Sequence, residues 1–334
     1  MPLGIKVEHT RFFRYDAVWH WEIMQNGYTA AQHGNHLVSH YSIIWPLVMK
    51  IFSVVPGEAK INMMILNCAV FGLATAALAR MALAAGFQWW KPAIFFCCFP
   101  TAFFANSVYN EPIFMLGTFM GMATLLEKKW LSSGLWSSLG VVIRINGWAM
   151  AATWIISVMS GAKIPRKSIF IGLAALGLAA IVQPMAIWHW RGSPIAHYND
   201  LQSVGWMASP QIIPFKEPIE TACTLIARPS LISATSSFMF HKGWSAISLG
   251  VCMLVLAVLW KKLPPPVKMQ GLFTILGLGM LEQAISLPRY VMAFLPFYFL
   301  AARLPAWSLG MVCSVMAWSQ LYLATRFVRG LWAF

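Results

Sequence analysis

Apolar runs of membrane-crossing length, separated by short basic breaks, recur along most of this chain, and a fold that must dissolve in water cannot absorb them. Clear candidates lie at 61–79, 92–108, 112–126, 168–188, 244–260, 269–287, 290–302 and 305–325. A helix needs about 20 residues to cross a hydrocarbon layer roughly 30 Å thick, and fewer where the bilayer thins. Two half-length runs, 131–143 and 147–161, meet at Arg144-Ile145-Asn146-Gly147 and predict a short hairpin with a polar tip. Segments 41–55 and 221–241 fit interfacial or re-entrant helices better than full spans, the first being short and the second carrying Arg228-Pro229. With 59% of residues hydrophobic and 10% charged, against roughly a quarter charged in a soluble domain, the chain has too little polar surface for water. The expected fold is all-α, a polytopic membrane helix bundle of about ten segments, with its outer loops carrying any site.

A net charge of +14 would suggest nucleic acid in a soluble protein. Here the basic residues fall mainly in the breaks between apolar runs, which is the footprint of membrane topology. Placing Arg80 and Lys91 in the cytoplasm puts Lys128-Lys129, Lys163/Arg166/Lys167, Lys261-Lys262/Lys268 and Arg303 there too, and of the acids only Glu127 joins them. Asp16, Glu111, the Arg144/Asn146 tip and Arg289 then face the other compartment together. The first twenty residues contain no uninterrupted apolar core, so no signal peptide is visible and the first hydrophobic segment is expected to enter the membrane by itself. One integral membrane domain is expected over 1–334: an N-terminal outer segment with an interfacial helix (1–60), core helices (61–190), a large outer loop with an interfacial helix (191–243) and C-terminal helices (244–334). The polar stretch 191–220 is long enough to suggest a task of its own. Cys68, Cys97, Cys98, Cys223, Cys252 and Cys313 lie in apolar stretches without a CxxC pair, as small core residues do.

Four polar positions stand out. Asp16, in a charged and aromatic segment outside the bundle, could take a proton from a hydroxyl, or simply pair with Arg11 or Arg14. Glu111 lies between two hydrophobic segments, with Pro112 suited to the first turn of the following helix; it could act chemically or merely favour the helix dipole. Arg144, with Asn146 beside it, and Arg289, in Leu287-Pro288-Arg289-Tyr290, would each cost about 2.5–3.5 kcal/mol near a bilayer centre unless they met a partner. A phosphate suits a guanidinium, and so does a neighbouring acid. His33, His36 and His40 have helical spacing, but Gly34 and Asn35 break helix, so a wet interfacial loop is expected and no metal. No Walker loop, GxGxxG turn or HExxH helix is present.

Taken together, several stretches resemble the PIG-V family of membrane mannosyltransferases, within the GT-C class of glycosyltransferases. They are Arg14-Tyr15-Asp16-Ala17-Val18 with Gly27-Tyr28, where the family favours Arg-Trp-Asp then Gly-Tyr; Phe99-Pro100-Thr101-Ala102-Phe103-Phe104 running to Tyr109-Asn110-Glu111-Pro112; Arg144-Ile145-Asn146-Gly147; and Pro288-Arg289-Tyr290. Arg191-Gly192-Ser193-Pro194 with Gln202 and Trp206 also resembles the family's large outer loop. The resemblance implies a GT-C-like fold and a polyprenyl- or dolichyl-phosphate sugar donor. It implies an inverting transfer of a hexose, mannose by the family's name, to a glycan, lipid or protein acceptor on the non-cytoplasmic face. On that reading Asp16 and Glu111 are catalytic, Asp16 as the base and Glu111 as the holder of the acceptor or of a divalent cation if one is used. Arg144 and Arg289 bind the donor phosphate; Asn146, Tyr109, Tyr290, Gln202 and Trp206 contact substrate. The expected location is a bacterial cytoplasmic membrane rather than the endoplasmic reticulum, with membrane lipid as surroundings and no nucleic acid partner. The family normally has a membrane helix before its Arg-Trp-Asp motif, whereas here only residues 1–13 precede Arg14, and the following motif is altered to His40-Tyr41-Ser42-Ile43-Ile44-Trp45-Pro46. Two other readings use the same basic cavity: a lipid-linked saccharide transporter or flippase, which should show repeat halves, and a non-catalytic subunit of a glycosyltransferase complex.

Overall fold

The computed structural model describes residues 14–29, 32–33, 36–37, 41–161, 164–196, 199–200, 215–227, 238–280 and 287–330. Among these the chain is helical, apart from a two-residue antiparallel ladder that pairs Gln32 with Leu37 and His33 with His36. The helices are α1 (Asp16–Asn26), α2 (Ile44–Phe52), α3 (Ala59–Ala84), α4 (Trp90–Cys97), α5 (Glu111–Leu126), α6 (Trp130–Ile143), α7 (Trp148–Ser160) and α8 (Arg166–Arg191). After them come α9 (Lys216–Ala227), α10 (Phe238–Leu259), α11 (Pro265–Gly279), α12 (Leu287–Tyr290), α13 (Pro296–Arg303) and α14 (Ala306–Val328).

Among the described residues three helical stretches are long and apolar enough to cross a membrane: Ala59–Ala84, Arg166–Arg191 and Gly243–Lys262. The exposure pattern makes lipid their natural surroundings. Of the 26 residues of α8 only Gly172, Leu176, Ala179 and Ile187 are buried, while Phe170, Leu178 and Ile181 lie open. Apolar surface in that amount would be costly in water. Helices α5, α6 and α7 are apolar but shorter. The hairpin expected around Arg144 is present, with α6 and α7 flanking a 3-10 turn at Ile145–Gly147. Other expected boundaries shift. The run 92–108 is not one helix: α4 stops at Cys97 and a 3-10 turn covers Ala102–Asn106, because Pro100 removes a backbone donor where a continuous helix would need one. The run 290–302 is likewise divided between a 3-10 turn at Val291–Ala293 and the short α13.

Small residues set the closeness of the central layer. A Cβ on Gly117 would sit 3.1 Å from the Gly140 nitrogen and the Trp136 carbonyl, and one on Gly134 would sit 3.1 Å from the Gly172 Cα. Helices α5, α6 and α8 therefore stack backbone to backbone, the usual way to gain dispersion contact in lipid. Ser133 adds an interhelical hydrogen bond to the Gly121 carbonyl at 2.8 Å. At one end Arg80 of α3 grips Glu127, just past α5, through two 2.7 Å bonds. The N-terminus of α5, the tip between α6 and α7, and the start of α1 meet at the other.

Candidate functional site

Glu111 is the first residue of α5, where its charge meets the positive end of the helix dipole. Arg144 takes an extended backbone that ends α6. Its guanidinium reaches across to form an ion pair with Glu111 Oε1 and donates to Asn110 Oδ1 at 3.2 Å. Arg289, from the remote α12, donates to Asp16 Oδ2 at 2.8 Å. Its Nε lies 2.8 Å from Glu111 Oε1 as an ion pair, although that N–H is not aligned for a hydrogen bond. The result is a continuous chain of alternating charge: Asp16, Arg289, Glu111, Arg144. Glu111 and Arg289 are buried and Arg144 and Asp16 nearly so.

Aromatic rings floor the cluster. Arg144 lies 4.7 Å from the Tyr290 ring, and Arg289 lies 5.4 Å from the rings of Tyr290 and Phe104 and 5.3 Å from that of Tyr109. Such contacts favour a desolvated cation. The Tyr109 hydroxyl donates to the Arg14 carbonyl at 3.3 Å, which ties the Glu111 segment to the Asp16 segment.

Both carboxylates follow strained backbone. Tyr15, immediately before Asp16, has φ 52°, and Val108, three residues before Glu111, has φ 53°. A β-branched residue there is a true outlier, and such strain persists only when surrounding contacts over-determine it. Those contacts are visible. The Tyr15 hydroxyl donates to the Gly330 carbonyl at 2.8 Å, and the Trp45 indole donates to the Val108 carbonyl at 3.1 Å.

Electrostatics keep Asp16 ionised. Burial pushes its carboxyl up, but the charges of Arg289 and Arg144, with a hydrogen bond from Tyr41, outweigh burial and hold it below the ordinary range. Tyr41 donates to Asp16 Oδ1 at 2.9 Å; burial and the adjacent Asp16 charge push its phenol far up, so it keeps the proton it donates. His20, one turn along α1, is buried, and burial lowers its imidazole to about 4 against the opposing pull of Asp16 and Glu111. It is therefore neutral near pH 7. Among the described residues its Nδ1 has no hydrogen-bond partner, and neither does Glu111 Oε2.

Of the residues expected from sequence, Asp16, Glu111, Arg144, Arg289, Tyr109 and Tyr290 are brought together. Asp16 pairs with Arg289 rather than with Arg14. Asn146 sits half-buried in the turn after Arg144, and no hydrogen bond among the described residues joins it to the cluster. Gln202 and Trp206 lie outside the described residues. His20, Tyr41 and Asn110 were not singled out. Their signals were a four-residue spacing from Asp16 on one helix, and membership of the two motif stretches already noted. No group of three or more His, Cys, Asp or Glu side chains among the described residues is arranged to hold a metal ion.

Residues 11–168 match the family described as mannosyltransferase (PIG-V). No curated protein and no solved structure matches the chain.

Proposed function

With residues 11–168 belonging to the PIG-V mannosyltransferase family, we propose that this membrane glycosyltransferase moves a hexose, mannose by the family's chemistry, from a polyprenyl-phosphate donor to an acceptor hydroxyl on the non-cytoplasmic face. The observation that carries the proposal is the buried chain Asp16–Arg289–Glu111–Arg144, assembled from four separated stretches, three of them within the family-matched residues 11–168. A salt bridge alone is weak grounds for function, since buried pairs often only balance their own desolvation. Two guanidiniums beside two carboxylates, floored by aromatic rings and held on strained backbone, are in addition suited to a substrate that brings its own phosphate.

The acceptor oxygen attacks the anomeric carbon as its proton passes to Asp16. The bond from that carbon to the phosphate oxygen breaks, and the lipid phosphate departs with the electron pair. Arg289 and Arg144 face the charge that grows on the phosphate. Because both already hold carboxylates, the arriving phosphate competes for them, and each N–H it takes from Asp16 raises the basicity of that carboxylate. The donor thereby helps to activate the base. Glu111 Oε2, without a partner among the described residues, is the place for an acceptor hydroxyl. A GT-C-like fold of about ten crossings and an inverting outcome belong to the same proposal.

The test is turnover by the purified chain in lipid nanodiscs with a polyprenyl-phosphate mannose. Asp16→Asn keeps size and removes the basic lone pair, so donor binding survives while turnover falls by about 10²–10⁴-fold. Normal turnover by Asp16→Asn with loss in Glu22→Gln would move the base to Glu22. Movement of the lipid-linked sugar across the bilayer without any new glycosidic bond would replace transfer by transport. A folded chain that binds donor and does neither would leave the non-catalytic subunit.

A further inference from the structure

Gln183 is a polar residue inside the apolar helix Arg166–Arg191, where an unsatisfied amide would cost several kcal/mol. Its side-chain amide hydrogen-bonds to Tyr28 and to the backbone of residues 41–43. Its Nε2 donates to the Tyr41 carbonyl and to the Tyr28 hydroxyl, both at 2.9 Å, and its Oε1 accepts from the Ile43 N–H at 3.0 Å. The Tyr28 hydroxyl passes its own proton to the same Tyr41 carbonyl at 2.6 Å. Tyr28 is fully buried and Tyr41 nearly so. Ser42, between these residues, donates to the Val142 carbonyl at 2.7 Å, close to the end of α6 from which Arg144 projects. Residues 41–43 thus form a bracket pinned to α8 on one side and to α6 on the other. From that bracket Tyr41 reaches Asp16 Oδ1 at 2.9 Å.

We propose that Gln183 is a positioning residue for Asp16, acting through Tyr28 and the backbone of Tyr41 to hold the Tyr41 hydroxyl against the carboxylate. This rests on the reading of Asp16 as the base. Gln183 lies beyond the family-matched residues 11–168, so the assignment comes from contacts alone. Two of the three groups that fix the Tyr41 carbonyl and the Ile43 N–H belong to this one side chain, and the third is itself oriented by it. Without Gln183 the bracket keeps its apolar packing on Ile187 of α8 but loses the hydrogen bonds that fix its register there, and with them the fixed distance of the Tyr41 hydroxyl from Asp16. The Arg289 contact on Oδ2 remains, so the carboxylate keeps its charge partner and changes its aim.

The experiment compares wild type, Gln183→Met, Tyr28→Phe and Tyr41→Phe in nanodiscs by two readouts. The first needs no activity: the carboxylate stretching bands of Asp16, isolated in each background by subtracting the spectrum of the corresponding Asp16→Asn protein. Loss of the Tyr41 hydrogen bond shifts those bands in Tyr41→Phe, and the proposal requires Gln183→Met and Tyr28→Phe to shift them the same way. The second is kinetic: kcat falls by up to about 10²-fold, the scale of a misplacement near 1 Å, with KM for the donor little changed. Gln183→Met replaces an amide in an apolar helix by an apolar side chain of similar length. Should it still fail to fold, Tyr28→Phe, which loses one hydroxyl, carries the test. Bands and kcat like wild type in Gln183→Met and Tyr28→Phe would overturn the proposal, even if both lost thermal stability, because that is what a purely structural amide would do. If wild type transfers no mannose, the proposed function fails while the band comparison still decides the positioning role.

Discussion

Arg289 touches both carboxylates of the cluster, and replacing it by Met, close in length and uncharged, tests whether the chain of charge is as coupled as it looks. In wild type the two acids and two guanidiniums balance. Arg289→Met leaves one negative charge in excess in a buried site. Glu111 keeps its direct ion pair with Arg144, whereas Asp16 keeps the Tyr41 hydroxyl and only the unpaired field of the Arg144 charge, so the excess rests mainly on Asp16. Removing one partner of a buried pair costs about 3–5 kcal/mol, because the remaining charge stays desolvated. The Glu111 contribution adds little, since its second cation remains, so the expected loss is about 3–5 kcal/mol rather than twice that. Adding Asp16→Asn removes the stranded charge, and the double variant should be more stable than Arg289→Met alone, with a coupling of about 0.5–3 kcal/mol. Reversible unfolding in mixed micelles measures all four corners of the cycle. A single-variant loss below about 1 kcal/mol, within the range of exposed pairs, or additivity of the two substitutions, would refute a desolvated and coupled cluster.

Further outcomes follow from the same geometry. His20 is held at about 4 in the native state against about 6.5 when unfolded. Between those values the unfolded chain binds the extra proton, so stability is full above about 6.5 and declines by roughly 3 kcal/mol as pH falls toward 4; His20→Asn should flatten that slope, and an unchanged slope would assign it elsewhere. A Cβ on Gly147 would lie 2.2 Å from the Gly140 carbonyl atoms, whereas one on Gly140 meets only the Gly147 Cα at 3.7 Å. Gly147→Ala should therefore lose about 1–3 kcal/mol by overpacking and misplace Arg144, with a fall in turnover, while Gly140→Ala is tolerated; equal thermal midpoints for the two would contradict this. Finally, cysteines at the exposed positions Lys167 and Gln25 should be labelled by an impermeant reagent from opposite sides, Lys167 from the cytoplasm; labelling of both from one side would break the shared-face argument.

The apolar runs and the placement of charge were enough to predict a helical membrane bundle, and to put Asp16, Glu111, Arg144 and Arg289 near one end of it. They were not enough to say which acid meets which arginine. The local alternatives for Asp16 were Arg11 and Arg14, yet its partner lies 273 positions away, because pairing between remote segments is decided by packing that no spacing rule encodes. Hydropathy also missed the interruption between Cys97 and Ala102, since an apolar run reads the same whether its helix continues or breaks. His20 escaped because the Asp16 segment was read as a motif rather than as a helix, where residues 16 and 20 stack on one face.

The two strained positions show why the site cannot be read from the family-matched stretch alone. Tyr15 and Val108 each occupy a left-handed backbone conformation that costs on the order of 1–3 kcal/mol, Tyr15 immediately before Asp16 and Val108 three residues before Glu111. Val108 is held by Trp45, inside residues 11–168, but Tyr15 is held by the Gly330 carbonyl, and the Phe327 ring packs 5.6 Å from it. Arg289 and Gln183 lie beyond residue 168 as well. The stretch that carries the family pattern supplies both acids and one guanidinium. Residues after 168 supply the second guanidinium, the Gln183 amide that anchors the bracket of residues 41–43 and the contact that holds Asp16 in place. A substitution near Gly330 that released the Tyr15 hydroxyl would let the backbone before Asp16 relax toward negative φ and turn the carboxylate away from Arg289, without touching a residue of the charge cluster. The geometry of the cluster is therefore a property of the whole bundle rather than of its motifs.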